Sequence, residues 1–408
     1  MNRRVAVTGM GGVTALGSSW EEIRQALMEG RSAVRYREDW EQFAGLGTRL
    51  SADVPGFEVP SHYTRKQIRS MSRVSLLSTR ATELALTDAG LLGDPVLASG
   101  RAGIAYGSCA GSHQAIIDFA SMVGLKSTIN IDATTYVKMM PHTAAVNTGL
   151  FFGLRGRVIP TSSACTSGSQ AIGFAYESIK EGKQDLMVAG GAEELTAADA
   201  AAFDTLYATS QKNDTPGLTP SPFDAGRDGL VLGEGACSLV LEEYGRAKAR
   251  GARIHAEIVG FYTNCDASHI TQPRPETMQV CIEGSLKEAG LAPVNIGYIS
   301  AHGTGTTLGD AAECRATGAV YGGGTPISSL KSYFGHTLGA CGSLEAWLSI
   351  EMMREKWFCP TLNLVNVDTE CAQLDHIMKD RRKVDCEFVQ SNNFAFGGVN
   401  TSLVFRQA

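Results

Sequence analysis

Val158-Ile159-Pro160-Thr161-Ser162-Ser163-Ala164-Cys165-Thr166-Ser167-Gly168-Ser169 is the stretch on which the fold turns. Val158 to Thr161 reads as a strand, and Ser167 to Glu181 carries the apolar spacing of a helix. Between them a thiol stands among small residues that let a substrate carbonyl approach the sulfur. A strand passing directly into a helix belongs to an α/β protein with covered sheets. A helix start beside a cysteine stabilises the thiolate and lowers its pKa. Cys165 therefore reads as a candidate nucleophile, whereas an isolated cysteine is usually a buried structural residue.

The same grammar extends both ways. Upstream, strands are expected at Arg4 to Gly9 and Ala102 to Gly107, with helices at Ser18 to Glu29 and Val74 to Leu91. Downstream come a strand at Asp185 to Ala189, a helix at Ala197 to Leu206, and strands at Leu230 to Leu232 and Cys237 to Leu241. The second half repeats the alternation. Strands at Ile254 to Tyr262, Ile296 to Ala301, Ile327 to Leu330, Phe388 to Asn392 and Thr401 to Phe405 are interleaved with helices at Thr277 to Ala289, Gly309 to Val320 and Gly342 to Arg354. Two structurally duplicated halves, 1–250 and 251–408, form one compact unit with no flexible linker. Gly9-x-Gly11-Gly12 follows a strand but has Thr14 in place of a third glycine, so a dinucleotide site is rejected.

Composition narrows the function classes. The 408 residues contain 43% apolar and 19% charged side chains, ordinary for a soluble globular protein. A net charge of −6 gives no nucleic-acid-binding character. No apolar run reaches the length of a membrane span, and glycines interrupt the apolar stretch after Arg3-Arg4, so neither a span nor an export signal is expected. Ten scattered cysteines without a Cys-x-x-Cys pair read as reduced thiols of a cytoplasmic protein, and no metal site is expected.

Two further segments match Cys165 in character. Ala301-His302-Gly303-Thr304-Gly305-Thr306 and Lys331-Ser332-Tyr333-Phe334-Gly335-His336 each place a histidine beside glycine after an expected strand. One cysteine with two such histidines supplies the parts for thiol acyl transfer.

In this order the three segments resemble the elongating β-ketoacyl-acyl-carrier-protein synthases of the thiolase superfamily. The resemblance runs nearly end to end, through Gly190-Gly191-Ala192-Glu193-Glu194, Asp224-Ala225-Gly226-Arg227-Asp228-Gly229 and Asn392-Asn393-Phe394-Ala395-Phe396-Gly397-Gly398. It implies a thiolase-type five-layered αβαβα fold. It also implies decarboxylative Claisen condensation of an acyl group on Cys165 with malonyl-acyl carrier protein, in fatty-acid or specialised polyene or polyketide elongation. No cofactor is implied, because phosphopantetheine arrives on the carrier.

The resemblance also assigns roles. His302 and His336 would stabilise the enolate. Lys331 would support them electrostatically, with Glu313 as ion-pair or network partner and Asp310 as a weaker candidate. Phe396 would gate the acyl pocket and share the oxyanion hole with Cys165. Thr304, Thr306 and Thr271 would meet the pantetheine arm. Ala110 and Phe394 would border the acyl chain, and Lys66, Arg69 and Lys126 would dock the acidic carrier. The implied assembly is a homodimer, or a heterodimer with a chain-length-factor-like homologue in which this chain is the catalytic half. A thiolase would need a second catalytic cysteine where Phe396 stands, and an initiating synthase an asparagine at His336.

Departures from the family pattern also shape expectation. Ala395 and Val399 replace glycine and threonine, so a stiffer gating loop is expected. Asn393, Tyr333, Phe334 and Cys341 replace smaller or different residues. With a small Ala110, these suggest a polyunsaturated or aryl-primed acyl chain.

Overall fold

The structure is a computed structural model that describes residues 3–408. Its first strand, Val5–Thr14, runs straight through Gly9, Gly11 and Gly12, where the sequence reading places breakers. Packing gives the reason. A Cβ on Gly9 would lie 2.2 Å from the Ala85 carbonyl oxygen, and one on Gly11 2.6 Å from Leu84 Cβ. On Gly12 it would meet the Trp347 ring at 2.6 Å. Helix Arg73–Asp88 thus presses on one face of the strand and helix Cys341–Glu355 on the other. Gly9→Ala should lower the unfolding free energy by about 2–3 kcal/mol, because the clash is with backbone that cannot rotate away. Urea unfolding measures this, and a loss below about 0.5 kcal/mol would contradict the packing account.

Eleven strands form one hydrogen-bonded series. Its first run is ordered Val158–Thr161, Ala102–Gly107, Leu186–Glu193, Gly235–Glu243, Val5–Thr14. Its second run is Pro326–Ser328, Ile296–Ser300, Phe388–Phe394, Val399–Gln407, Ala256–Cys265, with Asp375–His376 added at the edge. In chain order each run reads third, second, fourth, fifth, first. The parallel and antiparallel pairings also match one for one. The runs meet edge to edge where Val5–Val7 pairs antiparallel with Ala256–Ile258.

Helices Ser167–Lys180 and Cys341–Glu355 pack on each other and touch strands of both runs. Arg73–Asp88 and Thr143–Phe152 cover the outside of the first run. Pro275–Ala289 covers the outside of the second, with Thr307–Tyr321 alongside. The result is the five-layered αβαβα arrangement of duplicated halves. Residues 341–353 of the central helix are all buried, as expected for a helix without a polar face inside a large core.

Between Gly107 and Val158 the sequence reading assigns no element, yet three helices lie there: His113–Leu125, Thr135–Met139 and Thr143–Phe152. In His113–Leu125 apolar side chains face outward, Ile117 and Val123 among them. No one-sided stripe marks that helix in the sequence.

Candidate active site

Strand Val158–Thr161 leads to Ala164, whose φ of 51° is left-handed, and then to Cys165, two residues before helix Ser167–Lys180. The N–H groups of Thr166 and Ser167 donate to the Ser163 and Ala164 carbonyls and close the turn. A left-handed alanine costs about 1 kcal/mol, strain of the kind that collects where a side chain must be aimed.

Cys165 is buried. Burial pushes its thiol up to about 11, against the opposing pulls of the Lys331 cation and of the Phe396 and Cys165 N–H groups. Desolvation of the thiolate is the largest influence on this group and runs against the lowering expected from the helix start. Alkylation of Cys165 by iodoacetamide should climb about tenfold per pH unit through neutral pH and level only near 11. Peptide mass spectrometry follows it, and a plateau below about pH 8 would contradict the burial account.

His302 leaves strand Ile296–Ser300, and His336 follows helix Lys331–Phe334 after Gly335 at φ 68°. The nearest side-chain atoms of Cys165, His302 and His336 lie within 4.8 Å of one another. His336 Nε2 is 2.9 Å from Cys165 Sγ. The two imidazoles stand perpendicular, with centroids 5.3 Å apart.

Their hydrogen bonds assign the tautomers. Lys331 Nζ donates to His302 Nδ1 at 3.2 Å, and the Leu338 N–H donates to His336 Nδ1 at 3.2 Å. Each Nδ1 is therefore an acceptor, and each Nε2 carries the proton. Burial, then the Lys331 charge, pushes both histidines well below their usual range, so both are neutral. The His336 Nε2–H meets the sulfur, and the neutral His302 ring stands in the same cluster.

Lys331 is fully buried, and its charge is balanced by Glu345 at 2.5 Å. Asn393 Nδ2 donates to the other Glu345 oxygen at 2.6 Å. This corrects the expected ion pair. Glu313 does not pair with Lys331; its carboxylate accepts the His302 and Gly303 N–H groups, each at 2.7 Å. Burial pushes that carboxyl up to about 8. Asp310 likewise accepts the Thr304, Gly305 and Phe223 N–H groups and stands apart from Lys331.

A funnel of about 250 Å³ reaches Cys165, His302 and His336. Thr304, Thr306, Thr271, Phe394 and Phe396 line it. Thr304 and Thr306 hydrogen-bond each other at 2.9 Å, and the Phe396 ring stacks on Phe203. Ala110 lies outside the funnel, in the loop that Glu193 holds through Ser108 Oγ and the Cys109 N–H. Lys66, Arg69 and Lys126 are exposed and do not line the funnel. Left-handed conformations in the 395–399 turn fall on Gly397 and Gly398 and none on Ala395, so the alanine sits there without backbone strain.

Comparison with known families decides the assignment. The family described as Beta-ketoacyl synthase, N-terminal domain, matches residues 2–247, and its C-terminal domain matches residues 255–365. The chain belongs to the β-ketoacyl synthase family. It is 37% identical to 3-oxoacyl-[acyl-carrier-protein] synthase 2 of Vibrio harveyi over 99% of both chains. A β-ketoacyl synthase from Burkholderia phymatum superposes with a TM-score of 0.99 at 59% identity, over 100% of both chains. The ishigamide ketosynthase/chain length factor matches with a TM-score of 0.92 at 30% identity, again over 100% of both. This β-ketoacyl synthase is an acyltransferase and a condensing enzyme.

Sequence reasoning gave no role to Glu345 or Arg227. A lone glutamate in the otherwise apolar and small run after Cys341 was the available signal, since a buried carboxylate requires a cation. Arg227 donates to the Thr306 and Thr307 carbonyls and to Asp368, which fixes the loop carrying the funnel threonines.

Proposed function

We propose that this β-ketoacyl synthase lengthens an acyl chain by taking both reactants as thioesters of an acyl carrier protein, with Cys165 as the point of attachment. The observation that carries this reading is the convergence of two neutral imidazoles and two backbone N–H groups on one thiol.

In the first half-reaction Cys165 Sγ attacks the acyl carbonyl. The N–H groups of Cys165 and Phe396 hold the oxyanion, the C–S bond to the carrier arm breaks, and the thiol proton ends on the departing pantetheine sulfur. In the second, the Nε2–H groups of His302 and His336 hold the malonyl thioester oxygen. Carbon dioxide leaves, and the enolate carbon attacks the Cys165 thioester. The new carbon–carbon bond forms as the C–S bond breaks, and one proton restores the thiol. Lys331 holds His302 in the donor tautomer, and Glu345 keeps Lys331 charged. Thr304, Thr306 and Thr271 bind the arm, with Phe394 and Phe396 beside the acyl chain and Ala110 at the depth of its pocket. Lys66, Arg69 and Lys126 give the first ionic attraction to the acidic carrier. Halves 1–250 and 251–408 supply the nucleophile and the histidines respectively. No cofactor beyond the carrier's own arm is required.

The chain that fits is polyunsaturated or aryl-primed, in keeping with the departures around His336 and with the small Ala110. Side-by-side kinetics on saturated and polyene carriers test this, and a clear preference for saturated chains would overturn it. Pairing of two copies is supported by the unpaired edge of strand Val158–Thr161 and by the exposed apolar side chains Ile117, Val123, Ile129 and Leu150. Ten free cysteines fit a reducing cytoplasm. Among the described residues no helix is long and apolar enough to cross a membrane.

Intact mass after exposure to acyl carrier should rise by one acyl group, located on the Cys165 peptide. Absence of any gain with every acyl chain offered would contradict the reading.

A further inference from the structure

The mouth of the funnel carries a signal that the chemistry does not use. Leu206, Tyr207, Ile270 and Leu308 line it and also face outward. Tyr207 is 92% exposed, Ile270 68%, Leu308 63% and Leu206 50%. Scattered exposed apolar residues are ordinary, whereas four around one opening mark an interaction surface.

Tyr207 is held there against its backbone preference. Helix Ala197–Asp204 ends with the Ala208 N–H donating to the Phe203 carbonyl at 3.1 Å and the Tyr207 N–H to Asp204 at 2.9 Å. These are the paired bonds of a helix end that favours glycine at the position Tyr207 occupies. Its φ is 53°, a left-handed conformation disfavoured for any side chain, and its ring gains almost no burial in return. Strain kept at an exposed site points to a role outside the fold. No lysine or arginine lines the funnel among the described residues, so this rim offers an anionic partner no cation.

We infer that these four side chains form an apolar collar on which the acyl carrier protein seats when its arm reaches Cys165. The inference rests on the carrier-dependent reading of the site. The occupant follows from position, since a protein that delivers a thioester down this funnel must cover its rim. The carrier face it fits is an apolar patch around the point where the arm is attached. Lys66 and Arg69 then set the encounter, and the collar sets how long the complex lasts. Phe203 stands on the same helix and stacks on Phe396, so seat and gate share one segment.

The test compares acylation of Cys165 by acyl-carrier protein and by the carrier-free acyl pantetheine thioester. Wild type, Tyr207→Gly and Leu206→Ser/Leu308→Ser are measured at low and high salt. The ratio of carrier to carrier-free rate should fall about tenfold in both variants, as for loss of an apolar anchor. In wild type the ratio should fall with salt as the Lys66 and Arg69 attraction is screened, while the collar variants lower it by the same factor at both salts. Tyr207→Gly should keep its Tm or raise it by about 1–2 °C, because glycine suits that backbone, so a lost ratio cannot be ascribed to misfolding. A ratio untouched by the collar variants at both salts would overturn the collar. Acylation of wild type by neither substrate would instead sink the carrier reading itself, and the collar with it.

Discussion

Replacing Cys165 by alanine should stop condensation while carbon dioxide release from malonyl carrier continues. The two half-reactions use different groups. Acyl transfer needs Sγ, and decarboxylation needs only an oxyanion site for the enolate. In the proposed mechanism that site is the Nε2–H groups of His302 and His336, whose rings are oriented by Lys331 and the Leu338 N–H rather than by the thiol. A methyl in place of the sulfur leaves both orienting bonds intact. Chain extension should drop at least about 10⁴-fold, with loss of the sole attachment point. Decarboxylation should stay within about tenfold of wild type. Adding His302→Ala to Cys165→Ala should then remove the residual carbon dioxide release. Loss of both activities in the single variant would mean that the sulfur itself organises the histidines.

Glu345→Ala carries the second large effect. Lys331 and Glu345 are both 0% exposed, and the ammonium has no other anionic partner within ion-pair distance among the described residues. Removal of the carboxylate leaves a buried charge uncompensated, which costs about 3–5 kcal/mol. The neutral amine that results donates more weakly to His302 Nδ1 and can accept as well, so it no longer enforces the tautomer and activity should fall with stability. A double variant, Lys331→Met/Glu345→Leu, separates the two. Stability should return to within about 1–2 kcal/mol of wild type, since apolar replacement of a buried pair is close to neutral, while condensation stays low. Thermal unfolding and turnover measured together check this. Full activity in the double variant would show that the lysine is structural only.

The legible parts of this protein are those where a local pattern and a chemical requirement coincide. Strand, small-residue turn and helix around Cys165 are all written in one short segment, and so are the glycines beside His302 and His336. The rest depends on distant neighbours. Whether Gly9 breaks a strand or admits a helix is decided by Ala85, some 76 positions away, whose backbone fills the space a side chain would need. Of the two roles expected for Glu313, the network contact holds and the ion pair does not, because sequence shows that a carboxylate is present but not whether it turns to a lysine or to backbone N–H groups. The thiol pKa went the other way from the helix-start argument, since burial is a property of the whole core. Helix His113–Leu125 left no stripe to read because its apolar side chains are spread round the helix and most are exposed, Ile117 and Val123 among them.

Single turnover of the acylated enzyme tests the central claim most directly. Enzyme carrying one acyl group on Cys165 is mixed with malonyl carrier, and the masses of enzyme and carrier are followed together with carbon dioxide. The expected result is loss of the acyl group from Cys165 in step with a carrier-bound β-ketoacyl chain and one carbon dioxide per chain. Carbon dioxide release with the acyl group still on Cys165, or its loss as free acid, would contradict condensation at this site.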